Sequence, residues 1–441
     1  MIDITEQPAP PVQPTESRPP TEPGAEPMPA APIAPSRRVQ AIDILRGFAI
    51  FGILLVNMEF FSRSFYAQIM GLNQPVGLID QLARWGIAFL AEAKFYSTFS
   101  FLFGLGMMIQ YRRFQKRGEG FVPFFLRRMV VLLFIGLIHA YLFWVGDILI
   151  MYSVLGVLLL LLFRNRQPRT LLVWTSLFLL IPILLNGALY GLIELGRATP
   201  EGAQMIEQVF REQTQQYQAA SEQADRVYAT GNFVEITQQR VSDMNFLYST
   251  WPFIGFNVLA MMVLGVYAGK RRIFERLHEE MPFIRRVWIW GLIVGVIGNL
   301  LYVITGESAS RGIPSAQLLV AITGQTVGAP ALSLFYMCSL VQLVQLPAWQ
   351  RRLQPLASVG RMAISNYLLQ TIICTTLFYS YGFGLYGQIG IAAGVLLTIA
   401  IYAIQIPLSM WWLRRFRFGP IEWFWRTLSY GRRQPMRVVE A

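Results

Sequence analysis

Ala41-Ile42-Asp43-Ile44-Leu45-Arg46-Gly47-Phe48-Ala49-Ile50-Phe51-Gly52-Ile53-Leu54-Leu55-Val56-Asn57 decides the class of this protein. From Gly47 to Val56 no residue is charged or strongly polar. About 20 residues at 1.5 Å rise cross the hydrocarbon core of a bilayer, and the segment 43–61 is of that length. Nine further apolar segments follow, at 83–110, 124–145, 147–163, 170–193, 251–269, 286–305, 316–346, 359–381 and 387–413. The sequence therefore predicts an all-α, polytopic membrane bundle of about ten spans. The second, eighth and tenth are long enough to require tilt, kinks or an interfacial start.

The composition agrees. Of 441 residues, 54% are hydrophobic and only 14% charged, against about 25% charged in soluble domains. The net charge of +12 does not point to nucleic acid, because the basic residues recur in short clusters between the apolar runs. Arg37–Arg38, Arg112–Arg117, Arg164–Arg169, Lys270–Arg286, Arg351–Arg361 and Arg414–Arg417 mark every second loop. The intervening loops hold Asp80, Asp147 and Glu307 and few bases. Cytoplasmic loops collect Arg and Lys, so both termini are expected in the cytoplasm.

The domain plan follows. Residues 1–36, rich in Pro, Ala and Glu, read as a disordered cytoplasmic tail rather than a signal peptide. Residues 37–431 form the membrane domain, and 432–441 a second cytoplasmic tail. Residues 194–250 make the one long external region. Thr199-Pro200-Glu201 opens a helix there, and Thr230-Gly231-Asn232 reads as a turn, which predicts two amphipathic helices forming an external cap. Residues 419–430 suit a helix in the inner interface. Thr323–Pro330 in the eighth span reads either as a broken helix or as a simple proline kink. Cys338 and Cys374 fall near opposite faces and form neither a disulfide nor a zinc site.

Ionisable groups inside a membrane need a reason. Arg46 and Asn57 are eleven residues apart, hence on one helix face, with Asp43 one turn below Arg46. Arg128 and His139 repeat the spacing. His139 is the one histidine within a span, and its ordinary pKa suits a base near neutrality; Asp147 is placed to orient it. Lys94 follows Glu92 by two residues, and Asn366 and Gln370 share a face above Arg361. Each also has a bland reading, as a snorkelling arginine, a satisfied core histidine, a structural ion pair or interhelical glue. With two histidines, His139 and His278, no metal centre is expected.

Several separated stretches resemble one family. They are Val39–Asn57, Lys94-Phe95-Tyr96, Phe99–Gly104, Gly136–Tyr141, Gly146–Leu149, Gly360–Gln370 and Gly419–Trp423. Across residues 37–431 the chain is similar to the YeiB-like bacterial membrane proteins, the domain of unknown function 418. The first span also resembles that of membrane acyltransferases such as heparan-α-glucosaminide N-acetyltransferase. That resemblance implies transfer of an acetyl group from cytosolic coenzyme A across the membrane, with Asn57 at the position of a catalytic asparagine. The histidine that follows this asparagine in the enzyme has no counterpart here, and Gln68 stands at its spacing.

The reading that joins these observations is a multi-pass acyltransferase of a bacterial inner (plasma) membrane. Arg46, Arg128 and Arg361 would bind the phosphates of acyl-coenzyme A. His139, Asn57 and Asp147 would form the catalytic group, and Lys94, Asn366 and Gln370 would line the substrate path. The expected partners are membrane lipid and an acyl acceptor, a sugar or a lipid, with no nucleic acid; a homodimer is left open. A transporter or flippase, and a non-catalytic scaffold, are the rival readings.

Overall fold

A computed structural model of the chain describes residues 40–71, 77–308 and 313–438. The segment 1–36, Arg37, Arg38 and residues 439–441 lie outside the described residues, as does the side chain of Glu307.

The opening apolar run is helix α1 (Gln40–Ser62), with Asp43 in its first turn. A short α2 (Phe65–Met70) and α3 (Leu78–Leu90) follow, then α4 (Lys94–Lys116). The expected single span 83–110 is thus two helices. Ala93 takes a left-handed conformation with φ 65°, and the chain turns between Leu90 and Lys94. Thirteen residues give α3 about 20 Å of length, too short to cross a hydrocarbon core of ~30 Å.

Helix α5 (Phe121–Ile138) runs into a π-helical turn at His139–Phe143, and α6 (Leu149–Leu158) into another at Leu159–Phe163. Then come α7 (Pro168–Gly196), α8 (Pro200–Thr230) and α9 (Phe233–Arg271). The first helix expected in residues 194–250 is α8. Thr199 accepts a hydrogen bond from the Gly202 amide with Pro200 in the first turn, as the start signal predicted. The second cap helix is not separate. Asn232 and Glu235 form a capping box, and α9 continues from Phe233 through Pro252 into the apolar segment.

The last third holds α10 (Leu277–Ser308), α11 (Ala316–Val344), α12 (Pro347–Arg361), α13 (Ala363–Phe378), α14 (Ile391–Arg415) and α15 (Pro420–Tyr430). Helix α11 passes unbroken through Thr323–Pro330. Its glycines serve packing instead. A Cβ on Gly324 or Gly328 would press on the α10 backbone at Gly298 and Asn299, so small residues let the two backbones approach, as membrane helices require. The span expected at 359–381 divides at Met362 into α12 and α13. The chain beyond α15 returns along α14: the Arg417 amide donates to the Met436 carbonyl at 2.8 Å.

Among the described residues, seven helices are long and apolar enough to cross a membrane: α1, α5 with its π-turn, α7, α9, α10, α11 and α14. Helix α1 is the hub, packed on α4, α11, α12, α13 and α14. Helix α7 is nearly bare, with Leu172, Val173, Leu184 and Leu192 exposed. Exposed apolar surface on this scale needs an apolar surrounding, which a bilayer supplies.

Candidate functional site

Two polar groups lie within the bundle, one near the N-terminal end of α1 and one at the π-helical turn of α5. The first is a cavity of about 140 Å³ whose walls include Arg46, Arg128, Arg361 and Arg426. The sequence singled out the first three of these arginines, on three separate helices, and tertiary packing brings them together. The reason begins with glycine. A Cβ on Gly47 would overlap the Leu356 carbonyl, and one on Gly360 would overlap that of Asp43. With hydrogen in both places the backbones of α1 and α12 touch, and Arg361 is set beside the first turn of α1. Gly360→Val is therefore expected to lower the unfolding temperature in detergent, in line with overpacking costs of about 1–3 kcal/mol; an unchanged melting curve would contradict the close approach.

Arg426 and Glu422 were not recognised from the sequence, because Gly419–Arg426 reads as an aromatic, basic interfacial segment. Helix α15 packs on α5, and the Trp425 indole donates to the Arg128 carbonyl at 2.8 Å while the Arg128 guanidinium lies 3.5 Å above the Trp425 ring. That stacking holds the guanidinium plane. Glu422 is buried and accepts hydrogen bonds from the Ile364 amide at 2.7 Å and the Ser365 amide at 3.1 Å. It caps the first turn of α13. Burial pushes its carboxyl above the usual range, and the hydrogen bonds it accepts oppose that shift.

The charge balance of the cavity is positive. Asp43 pairs with Arg46 at 3.2 Å, and Glu422 is engaged by α13. Neither Arg128 nor Arg426 forms an ion pair among the described residues. Arg361 donates to the Arg417 carbonyl at 3.3 Å, and its Nε is buried without a partner among the described residues. Burial pushes the Arg426 guanidinium below its ordinary value, and Arg46 acts in the same direction against Tyr430 and Glu422. Four guanidinium groups around so small a space give the cavity the chemistry that suits an anion. The lining also includes Leu132, Leu149 and Tyr152. Leu149 follows Asp147 by two residues.

The second group is His139 with Asp147. His139 Nδ1 and Asp147 Oδ2 are 2.7 Å apart, and both side chains are buried. Asp147 Oδ1 accepts the Ile150 amide at 2.8 Å, so the carboxylate also starts α6. A carboxylate accepting from Nδ1–H leaves Nε2 as the acceptor, and Nε2 lies 2.9 Å from the Thr371 hydroxyl. Gly136 permits the pairing: a Cβ there would crowd the Ile150 amide and Asp147 Oδ1. The ring of Tyr367 stands 5.1 Å from that of His139, and its hydroxyl donates to the Gly146 carbonyl at 3.1 Å. Thr371 and Tyr367 had no signal in the sequence beyond their place on the Asn366–Gln370 helix.

Other candidates stand apart. Asn57 is half-buried on α1 and makes no hydrogen bond among the described residues; the packing between α1 and the histidine passes through Phe61 and Trp144, stacked at 3.9 Å. Gln68 lies beyond α1, on α2. Lys94 is fully buried and donates to the Ala88 carbonyl at 2.7 Å, serving the end of α3. Its expected carboxylate is held instead by Arg84, which bridges Glu59 at 3.0 Å and Glu92 at 2.6 Å. Asn366 bonds Ser409 at 3.0 Å, and Gln370 bonds Gln405 at 2.8 Å, so both join α13 to α14. Cys338 and Cys374 are free thiols. Among the described residues no group of three His, Cys, Asp or Glu side chains comes together as a metal site.

Comparison with known proteins finds a family pattern in the last part of the chain and relatives along nearly all of it. The pattern described as "Protein of unknown function (DUF418)" matches residues 268–432. "Uncharacterized protein YxaH" of Bacillus subtilis (strain 168) is 37% identical over 423 residues, covering 92% of this chain and 97% of the relative. "Uncharacterized 39.9 kDa protein in amylase 3'region" of Bacillus acidopullulyticus is 30% identical over 418 residues, covering 92% and 97%. "Uncharacterized protein YeiB" of Escherichia coli (strain K12) is 30% identical over 397 residues, covering 88% and 95%. With likeness of this extent to three bacterial proteins, the chain belongs to the DUF418 family.

Proposed function

We propose that this protein is a membrane-embedded acyltransferase of the bacterial inner membrane, passing an acyl group from cytosolic acyl-coenzyme A to an acceptor on the outer side. One observation supports it above the others: the cavity whose walls include four arginines is also lined by Leu149 and Tyr152, and Leu149 is two residues from Asp147 of the buried His139–Asp147 pair. The arginines take phosphates of the donor, because planar guanidinium groups match phosphate oxygens. At about 140 Å³ the cavity is smaller than usual ligand pockets of about 300–1,000 Å³, so it holds a phosphate group while the rest of the donor extends into the cytosol and along the bundle.

At the other end His139 Nε2 takes the proton of the acceptor hydroxyl or amine, displacing Thr371. The acceptor atom bonds the thioester carbonyl carbon, the carbon–sulfur bond breaks, and the leaving thiolate receives the proton from His139. Asp147 keeps the ring oriented and stabilises its charged form. An oxyanion donor is also required; Asn57 keeps that assignment only through a movement that brings α1 closer to the histidine.

This reading requires a fixed orientation. The seven long helices with α4, α6 and α13 make ten spans, residues 1–36 and 432–441 are cytoplasmic, and α8 with the start of α9 caps the outer face. Reporter fusions are expected to place Ala220 outside and Gly118, His278 and Met436 inside; an external signal at His278 would break the scheme. For the activity, the test is thermal unfolding of the purified protein with coenzyme A or its acetyl ester. A rise in melting temperature is expected. No shift at millimolar ligand would remove the acyltransferase reading.

A further inference from the structure

A second, larger cavity of about 580 Å³ lies between α5, α13, α14 and α15. Helix α13 and helix α15 separate it from the arginine cavity: Ala363, Ile364 and Trp425 face one, while Met362, Ser365 and Phe424 face the other. Its walls follow α5 from Phe134 to Phe143 and α13 from Met362 to Ile372. At 1.5 Å per residue that is a slot of about 14 Å, close to half of a hydrocarbon core of ~30 Å. It is thus about as long as the chains of one leaflet.

The lining has four polar side chains other than tryptophan: His139, Ser365, Asn366 and Ser409. Each already has a partner within the protein. His139 bonds Asp147 and Thr371, Ser365 bonds Glu422, and Asn366 and Ser409 bond one another. A polar ligand would find these four side chains already engaged and would lose its hydration there. Phe134, Phe143, Ile372, Leu408 and Phe424 on its rim are exposed, so the slot opens sideways, where the surrounding medium is lipid.

We infer that this slot holds the alkyl chain of the acyl acceptor, which is therefore a lipid or a lipid-linked molecule, with the chain running inward from His139 toward α15. The inference rests on the proposed acyl transfer for its word acceptor; the alkyl-chain site rests on the slot alone. The histidine at one end then meets the polar head, and the anionic donor approaches from the far side of the wall formed by α13 and α15.

The test is photolabelling of the full-length protein in phosphatidylcholine nanodiscs, with a long-chain alcohol bearing a diazirine on its alkyl chain. Labelled peptides from α5, α13 and α14 are expected, with excess unlabelled long-chain alcohol suppressing the label and butanol failing to do so. Leu369→Trp, which fills the slot, and Leu408→Trp, on its open rim, should each reduce the label severalfold. Label spread equally over α7 and insensitive to the long-chain competitor would overturn the site, even if neither variant folds. Slot labelling in a protein that coenzyme A fails to stabilise would keep the alkyl-chain site and remove the acyl transfer. Stabilisation without slot labelling would remove the lipid acceptor alone.

Discussion

His139→Ala is expected to lower acyl transfer by about 10²–10⁴, the usual worth of a general base, with donor binding unchanged. Nε2 is the ring nitrogen that an acceptor reaches, by displacing Thr371 at 2.9 Å, because Nδ1 is 2.7 Å from Asp147. The substitution also leaves the Asp147 carboxylate buried with one partner fewer, and Asp147 starts α6 through the Ile150 amide. Loss of activity must therefore be separated from loss of fold. His139→Gln preserves a polar group toward Asp147 and should match the alanine variant in turnover while melting closer to the parent. The readout is coenzyme A release with acetyl coenzyme A and lipid acceptors in detergent. A folded His139→Gln protein with full turnover would take the histidine out of the mechanism. Glu59 is then a weak substitute, since Arg84 already binds it at 3.0 Å.

Arg128→Ala is expected to weaken coenzyme A binding by about tenfold to a hundredfold. A hydrogen bond to a charged group contributes about 1.5–3 kcal/mol, and about 1.4 kcal/mol is a factor of ten in affinity. Arg128 is the best placed of the four arginines for this test. Its guanidinium lies over Trp425 at 3.5 Å and has no carboxylate partner among the described residues, so removing it strands none of their acids. Arg46→Ala should weaken binding too, but it also takes one cationic partner from Asp43, which adds negative charge beside the phosphates. Arg128→Lys should recover part of the affinity and not all, because an ammonium cannot donate bidentately. Titration of the melting temperature with coenzyme A reads all three. Equal affinity in Arg128→Ala and the parent would show that the cavity is not the donor site.

The sequence by itself determined the all-helical membrane class. Apolar runs of spanning length have only helices and closed barrels available in lipid, where each backbone group must find its partner within the chain. It also marked the helix starts that rest on local chemistry, such as Thr199 with Pro200 and the turn at Gly231. It picked out Arg46, Arg128 and Arg361, and paired His139 with Asp147, because ionisable groups are scarce in such runs and eleven residues return to one helical face. Tertiary structure alone decided the rest. Hydropathy averages over a window, so it could not see the turn at Ala93 or the division at Met362, each set by neighbours far along the chain. It could not tell a broken helix from the glycine contact of Gly328 with Gly298. Lys94 and Asn57 looked like site residues because they are polar in apolar surroundings, yet burial of a polar group demands only a partner, and for Lys94 the Ala88 carbonyl suffices. Glu422 and Thr371 join the site through contacts of 57 and 232 residues' separation, a distance over which helical periodicity carries no information.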